Sequence, residues 1–341
     1  MKKNYLQIGP YSAIGGVSVH IKRLSDLLKD HYNFSFIDES PLLTNQEVYN
    51  LRRINVFEYI RLINNAEIIH IHSGIWWLRC LHIFVGFLFR KKIIVTIHSL
   101  SNLTTSFSVR LTRKFLLLTS NVVVVNNEIS KKLKIKKSVV AHAFIPPNIE
   151  REEKLPLEIL NILQQNKFKK IIINNAFKLV LHNNEDLYGL DLLINVAREI
   201  KREKQNYKII FIVASMDKKL NLFDFYSKII KEETLDKIIT LIPYPVSFVR
   251  LMIESDLVVR ATNTDGDALT VREALYLKRP IIASDATNRP EGAILFKNRN
   301  SEDLFLKIRD TLNKEEKTTT KKHIPITDRN TFIELYRSII S

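Results

Sequence analysis

The chain has 341 residues, 45% of them hydrophobic with a mean hydropathy of -0.05, and carries 52 Lys/Arg against 36 Asp/Glu for a net charge of +16. That length and apolar content suit two ordinary domains with a substantial core and exclude an intrinsically disordered chain. The single cysteine, Cys80, excludes an internal disulfide and fits a reducing cytosol.

The charge is uneven. Residues 1–150 hold 20 Lys/Arg and 9 Asp/Glu, net +11, and the remainder nets +5. A basic N-terminal half points to an anionic partner: nucleic acid, an acidic membrane surface or a phosphate-bearing acceptor. A lysine-rich composition explains the total better than the asymmetry.

In chain order, residues 5–9 read as a strand entered directly from Met1, so no signal peptide is expected. Gly15-Gly16 then opens a helix over 17–29, and the missing side chains let a ligand approach backbone beside a helix N-terminus. The loop is not a Gly-x-Gly-x-x-Gly fingerprint, which disfavours a nicotinamide enzyme. Residues 34–37 read as a strand, 47–64 as a helix and 67–72 as a strand. His70 and His72 share one face of that strand and suggest a metal. With no third ligand at a plausible local spacing, they read instead as strand-end or cleft histidines.

Residues 75–89 form the most apolar helix. Fifteen residues that include Arg79 and His82 are too few and too polar to span a bilayer. Two readings stand: a buried helix of the fold, or an interfacial helix with Arg90-Lys91-Lys92 beside anionic lipid. Strand 93–97 ends at His98, on the edge where α/β sheets hold ligands. Arg110, Arg113 and Lys114 precede strand 121–125, and five lysines lie within 131–137. Strand 139–144 closes this half, and Ile145-Pro146-Pro147-Asn148 reads as a linker.

The second half alternates strand and helix, the pattern of a parallel sheet, with strands at 170–174, 209–213, 238–242, 257–259, 281–284 and 293–296. An amphipathic helix over 331–340 ends the chain. No nucleic-acid motif or aromatic–basic platform stands out, so nucleic acid is not the expected partner.

The informative stretch is 256–285. A strand leads into Asp265-Gly266-Asp267, and Asp267 is a suitable N-cap for a helix from Ala268. Val271, Ala274, Leu275 and Leu277 recur at helical spacing, and Pro280 stops the helix. Asp265 and Glu273 flank a helix N-terminus whose free N–H groups make an anion site. That combination suits a nucleotide sugar: N–H groups for the diphosphate, a carboxylate for the cis-diol of a ribose. The rival is a metal-binding Asp-x-Asp, against which the late position and the following helix with Glu273 argue.

This stretch resembles the signature of glycosyltransferase family four and its retaining GT-B relatives. Their pattern is an acidic loop, seven residues, a glutamate, Ala-Leu, a basic or glycine turn, proline and a strand. Here Asp265 is followed after seven residues by Glu273-Ala274-Leu275, then Lys278-Arg279-Pro280 and Ile281-Ile282-Ala283-Ser284-Asp285. Gly15-Gly16-Val17 with His20 on the next helix, and Val95-Thr96-Ile97-His98-Ser99, resemble further family positions.

The resemblance implies an α/β GT-B fold, two Rossmann-like domains with parallel sheets facing across a cleft. Residues 1–147 would form the acceptor side, 148–325 the nucleotide-sugar domain, and 326–341 a helix returning toward the first. It implies retaining transfer from a nucleotide diphosphate sugar, without metal or other cofactor. The acceptor would be a glycan or polyprenyl-diphosphate-linked glycan in bacterial surface-polysaccharide (capsule or O-antigen) synthesis. The enzyme would be cytoplasmic, peripheral on an anionic membrane surface. Asp265 and His98 carry over as catalytic residues. Glu273 carries over to the ribose, Lys178 to the diphosphate, and Gly266, Asp267, Gly15, Gly16 and Arg272 to the donor site generally. Two departures stand out. Asp265 replaces the usual glutamate and reaches about 1.5 Å less. Tyr188 stands where the family usually has lysine before Gly189, leaving the diphosphate to Lys178, Arg260 or Arg272. A catalytically silent partner protein of the same fold is the alternative.

Overall fold

A computed structural model describes residues 2–13, 15–41, 48–100, 105–135, 138–216, 221–265, 269–313 and 329–340. The chain divides into two compact units, Met1–Pro146 with Thr327–Ser341, and Pro147–Ile326.

The first unit runs β1 (Lys3–Gly9), α1 (Gly16–Leu28), β2 (Tyr32–Asp38), β3 (Tyr49–Asn50), α2 (Val56–Asn65), β4 (Ile68–Ile71), α3 (Trp76–Leu88), β5 (Lys92–Ile97), α4 (Ser106–Leu116), β6 (Asn121–Val124), α5 (Asn127–Leu133) and β7 (Val139–Val140). Its strands form one parallel sheet in the order β3-β2-β1-β4-β5-β6-β7. Both faces are covered, which is why the strands read as unbroken apolar runs. Leu62, Ile63, Ile83, Leu116, Ile129 and Leu133 pack on one face. On the other, Leu24 and Leu28 of α1 pack with Tyr336, Ile339 and Ile340.

The second unit runs α6 (Leu157–Gln165), β8 (Lys170–Ala176), β9 (Leu181–His182), β10 (Glu185–Asp186), α7 (Leu190–Arg202), β11 (Tyr207–Val213), α8 (Leu222–Glu232), β12 (Ile239–Ile242), α9 (Phe248–Ile253), β13 (Leu257–Arg260), α10 (Leu269–Tyr276), β14 (Ile281–Ser284), β15 (Ile294–Phe296) and α11 (Ser301–Asn313). A six-stranded parallel sheet, β12-β11-β8-β13-β14-β15, is sandwiched between two apolar layers, and β9 and β10 form a separate hairpin. The last helix, α12 (Arg329–Ile340), belongs to the first unit, where the Ile339 carbonyl accepts from Asn121 Nδ2 at 2.6 Å.

Two sequence expectations are corrected, and one element is added. The helix expected over 47–64 is a short strand and a turn before α2, with Glu47 outside the described residues. Asn50 turns the chain by accepting the Arg52 N–H, and Asn55 caps α2 by accepting from Glu58 N–H at 2.8 Å. Asparagine side chains here outcompete helix propensity. The strand expected at 139–144 stops at Val140; beyond it the Ala143 carbonyl turns to His20. The 181–186 hairpin was missed, although Asn183-Asn184, both at positive φ, is a fitting hairpin turn.

Helix α3 divides its residues between the two readings left open for it. Arg79, Cys80, His82, Ile83 and Gly86 are buried. Trp77, Leu81, Phe84 and Leu88, at spacings of four, three and four, form an exposed apolar stripe, with Trp77 53% and Leu88 59% accessible. Among the described residues no helix is long and apolar enough to cross a membrane.

Candidate functional site

In each sheet the strand order reverses beside the unit's first strand: between β1 and β4, and between β8 and β13. Loops leaving the carboxyl ends of such a strand pair diverge and open a ligand crevice. The sequence-predicted site residues are divided between these two places, and each is described within its own unit.

In the second unit, the crevice at β8 and β13 is narrowed by the start of α7. Asp186 Oδ1 accepts the N–H groups of Tyr188 at 2.7 Å and Gly189 at 2.8 Å. Gly189 has φ +72°, and a Cβ on it would lie 2.4 Å from the Ala261 carbonyl oxygen. Only glycine lets α7 begin this close to the end of β13. Tyr188 lies under Arg260, the guanidinium carbon 5.4 Å from the ring centroid.

Arg260, the last residue of β13, donates to Asp265 through Nε at 2.9 Å and Nη2 at 3.3 Å. Arg289, its side chain only 1% accessible, reaches the same carboxylate through Nη1 at 3.0 Å, and Thr262 Oγ1 lies 3.2 Å from it. Arg289 also donates to the Ser284 carbonyl at 2.9 Å, tying the Asp265 loop to the end of β14. Burial pushes the Asp265 pKa up, but the Arg260 and Arg289 charges outweigh it and hold the carboxyl below its ordinary value. Asp265 is therefore ionised and already engaged by two cations. The role of Arg289 was missed: it stands 24 residues from Asp265, and no local pattern links them.

Glu273 is buried in α10, one residue after half-buried Arg272. Lys178 lies two residues beyond β8, half-buried at the same edge of the sheet. Gly266, Asp267 and the expected helix start at Ala268 lie outside the described residues.

In the first unit, Gly15 is exposed at the N-cap of α1 with φ +152°, and Gly16 is the first helical residue. At the neighbouring strand ends sits a histidine cluster that the sequence showed only in part. His70 is held between Tyr5 Oη at 2.8 Å and Thr96 Oγ1 at 2.7 Å, a fully satisfied buried position. His72 Nδ1 lies 3.2 Å from His98 Nε2, and the His20 ring centroid is 4.9 Å from that of His98. His20 Nδ1 donates to the Ala143 carbonyl at 2.8 Å. Burial drives the pKa of His20 down to about 4, and burial followed by mutual repulsion carries those of His70, His72 and His98 well below the usual value. All four are neutral at pH 7.

One nitrogen from each of His20, His72 and His98 lies within 4.8 Å of the others, close enough to hold a metal ion, and His72 Nε2 is buried with no hydrogen-bond partner among the described residues. Local spacing in the sequence does not reveal this grouping, because His20 comes from α1 and His98 from the end of β5. The same neutral nitrogens also suit hydrogen bonding to a sugar hydroxyl.

No protein-family model and no curated protein sequence matches the chain. Solved structures do. A glycosyltransferase from Rickettsia africae superposes with a TM-score of 0.71 at 18% identity, covering 100% of this chain and 99% of that one. The Anabaena protein HepE, in complex with UDP and glucose, gives 0.69 at 14% identity over 98% and 99%. A trehalose-6-phosphate synthase from Burkholderia multivorans gives 0.62 at 11% over 100% and 97%. The chain thus has the fold these proteins share, the GT-B architecture of two parallel-sheet α/β domains.

Proposed function

We propose that the protein is a retaining glycosyltransferase that moves a sugar from a nucleotide diphosphate donor to a glycan or polyprenyl-diphosphate-linked acceptor. The observation that carries the reading is the charged cluster at the β8/β13 crevice. Arg260 and Arg289 converge there on Asp265, at the sheet edge shared with Lys178, in a fold whose solved examples include one bound to UDP-glucose. Glu273 would bind the ribose and Lys178 the diphosphate, offsetting the charge that grows as the bond to the sugar breaks. Metal is not required in this reading, because cations and a helix N-terminus meet the leaving group. In the first unit, neutral His98 and His72 offer nitrogens to sugar hydroxyls.

The exposed α3 stripe and the basic charge of the first unit favour work on a lipid-linked acceptor at the cytoplasmic membrane face, as in surface-polysaccharide assembly. Neither feature is needed for a soluble sugar.

A second reading is a catalytically silent partner protein of the same fold. It is favoured by Asp265 being engaged by two arginines and by Tyr188 in place of a lysine. A thermal-shift panel of UDP-, GDP- and other nucleotide sugars, followed by a donor-hydrolysis assay on any hit, tests both. Stabilisation with turnover supports the enzyme, stabilisation without turnover the silent partner, and no stabilisation by any donor refutes nucleotide-sugar binding.

A further inference from the structure

Between the C-terminal turns of α4 and α5 and the starts of β6 and β7 lies a cavity of about 980 Å³. This is the opposite end of the β6 and β7 strands from the carboxyl edge where His98 sits, so the cavity is separate from the candidate site. Arg110, Arg113, Lys114 and Lys134 line it over a floor that includes Leu133 and Ile135, and no carboxylate is among the described residues that line it. Among the described residues none of the four cations is in an ion pair. A helix dipole favours a cation in each last turn. It does not account for two helices bringing four cations to one apolar-floored cavity, where like charges repel.

We infer that this cavity binds the phosphate of an anionic phospholipid, an inference that rests on the membrane-face reading above. Charge complementarity calls for an anion, and the apolar floor calls for one with a hydrocarbon portion. The rim supplies the rest. Leu117, 84% exposed, stands at its mouth, and Phe115 beside it meets Phe84 of the α3 stripe edge-on at 6.4 Å. Helix α4 thus carries the cavity's Arg110, Arg113 and Lys114 and also packs on the helix that bears the exposed stripe. A single-stranded nucleic acid would use stacking aromatics, and none of the described residues that line this cavity is aromatic.

The test uses the full chain, vesicles of phosphatidylcholine with and without 30% phosphatidylglycerol, and two variants of equal charge change. One is Arg113→Glu/Lys114→Glu at the cavity. The other is Arg52→Glu/Arg53→Glu, beside the opposite edge of the same sheet, and unchanged melting confirms that both fold. Wild type should bind the anionic vesicles at least tenfold better than the neutral ones. The cavity variant should lose about tenfold, and the control less than threefold. Equal losses would overturn the inference in favour of diffuse surface charge.

A second arm separates the cavity from the membrane reading. Short-chain phosphatidylglycerol, kept below its micelle concentration, should raise the melting temperature of wild type and control but not of the cavity variant. If wild type binds no vesicle, the membrane reading fails, and the short-chain arm still decides the cavity. No shift there, or an equal shift with inorganic phosphate alone, overturns a lipid site.

Discussion

Removing the Asp265 carboxylate tests the central geometry most directly. In Asp265→Ala the guanidiniums of Arg260 and Arg289, 13% and 1% accessible, lose the one carboxylate they share. Breaking a buried pair from one side typically costs about 3–5 kcal/mol, because the remaining charge stays desolvated. For a unit of this size about 1 kcal/mol moves the melting temperature by roughly 2–4 °C, so a drop of roughly 6–20 °C is expected in scanning calorimetry. Asp265→Glu keeps the charge and should lose less. Two orphaned guanidiniums also make an anion site, so added phosphate should stabilise Asp265→Ala more than wild type.

The pH dependence has a definite sign. The folded pKa is depressed, so the contribution of Asp265 is fully present above the ordinary carboxylate pKa of about 3.9 and is lost as pH falls through the folded value. Asp265→Ala should therefore lose less stability than wild type below pH 4. A melting temperature within 2 °C (roughly 1 kcal/mol) of wild type at neutral pH would refute the double-arginine clamp.

Four further outcomes are expected. Glu273→Ala should weaken nucleotide binding by about 2–4 kcal/mol, the loss of a charge-assisted bidentate contact, while the fold survives; unchanged affinity in titration calorimetry would remove Glu273 from the site. Gly189→Ala should destabilise the second unit by at least about 1–3 kcal/mol, through its φ of +72° and the approach to Ala261, read as a lower denaturation midpoint. As pH falls from 6.5 to about 4 the unfolded chain protonates His20 and the folded one does not, so His20 should contribute a loss of about 1.4 kcal/mol per pH unit on top of those of His70, His72 and His98, and His20→Gln should make the pH slope in denaturant titrations shallower by that share. Sugar transfer should persist in EDTA; loss restored specifically by manganese or magnesium would support a metal role for Asp265-Gly266-Asp267 or the histidines.

Runs such as 209–213 and 257–259 announced buried parallel strands because both faces of each sheet are covered. Where side chains rather than periodicity shape the backbone, the reading failed. Asn50, Asn55 and the Asn183-Asn184 turn each act through a hydrogen bond or a left-handed conformation that a hydrophobic pattern does not encode. Left-handed positions were further disguised by a chain with 8 glycines. Lys134 and Lys278 take them after α5 and α10, where glycine would have marked the end.

The candidate site was legible to the extent that topology dictates it. Parallel strands send all their carboxyl ends to one edge, so His98, Lys178 and Asp265 could be placed at strand ends from the sequence. Their partners required the fold. Arg289 meets Asp265 because β13 and β14 lie side by side, with Val259 opposite Ile282 and Arg260 opposite Ala283. Once both arginines are in place, an aspartate at position 265 has a physical account. One further methylene would displace the carboxylate by up to about 1.5 Å from the position in which these donors meet it at 2.9 and 3.0 Å. The shorter acid and the converging arginines are therefore one arrangement, and the contrast between Asp265→Glu and Asp265→Ala separates the part that depends on charge from the part that depends on reach.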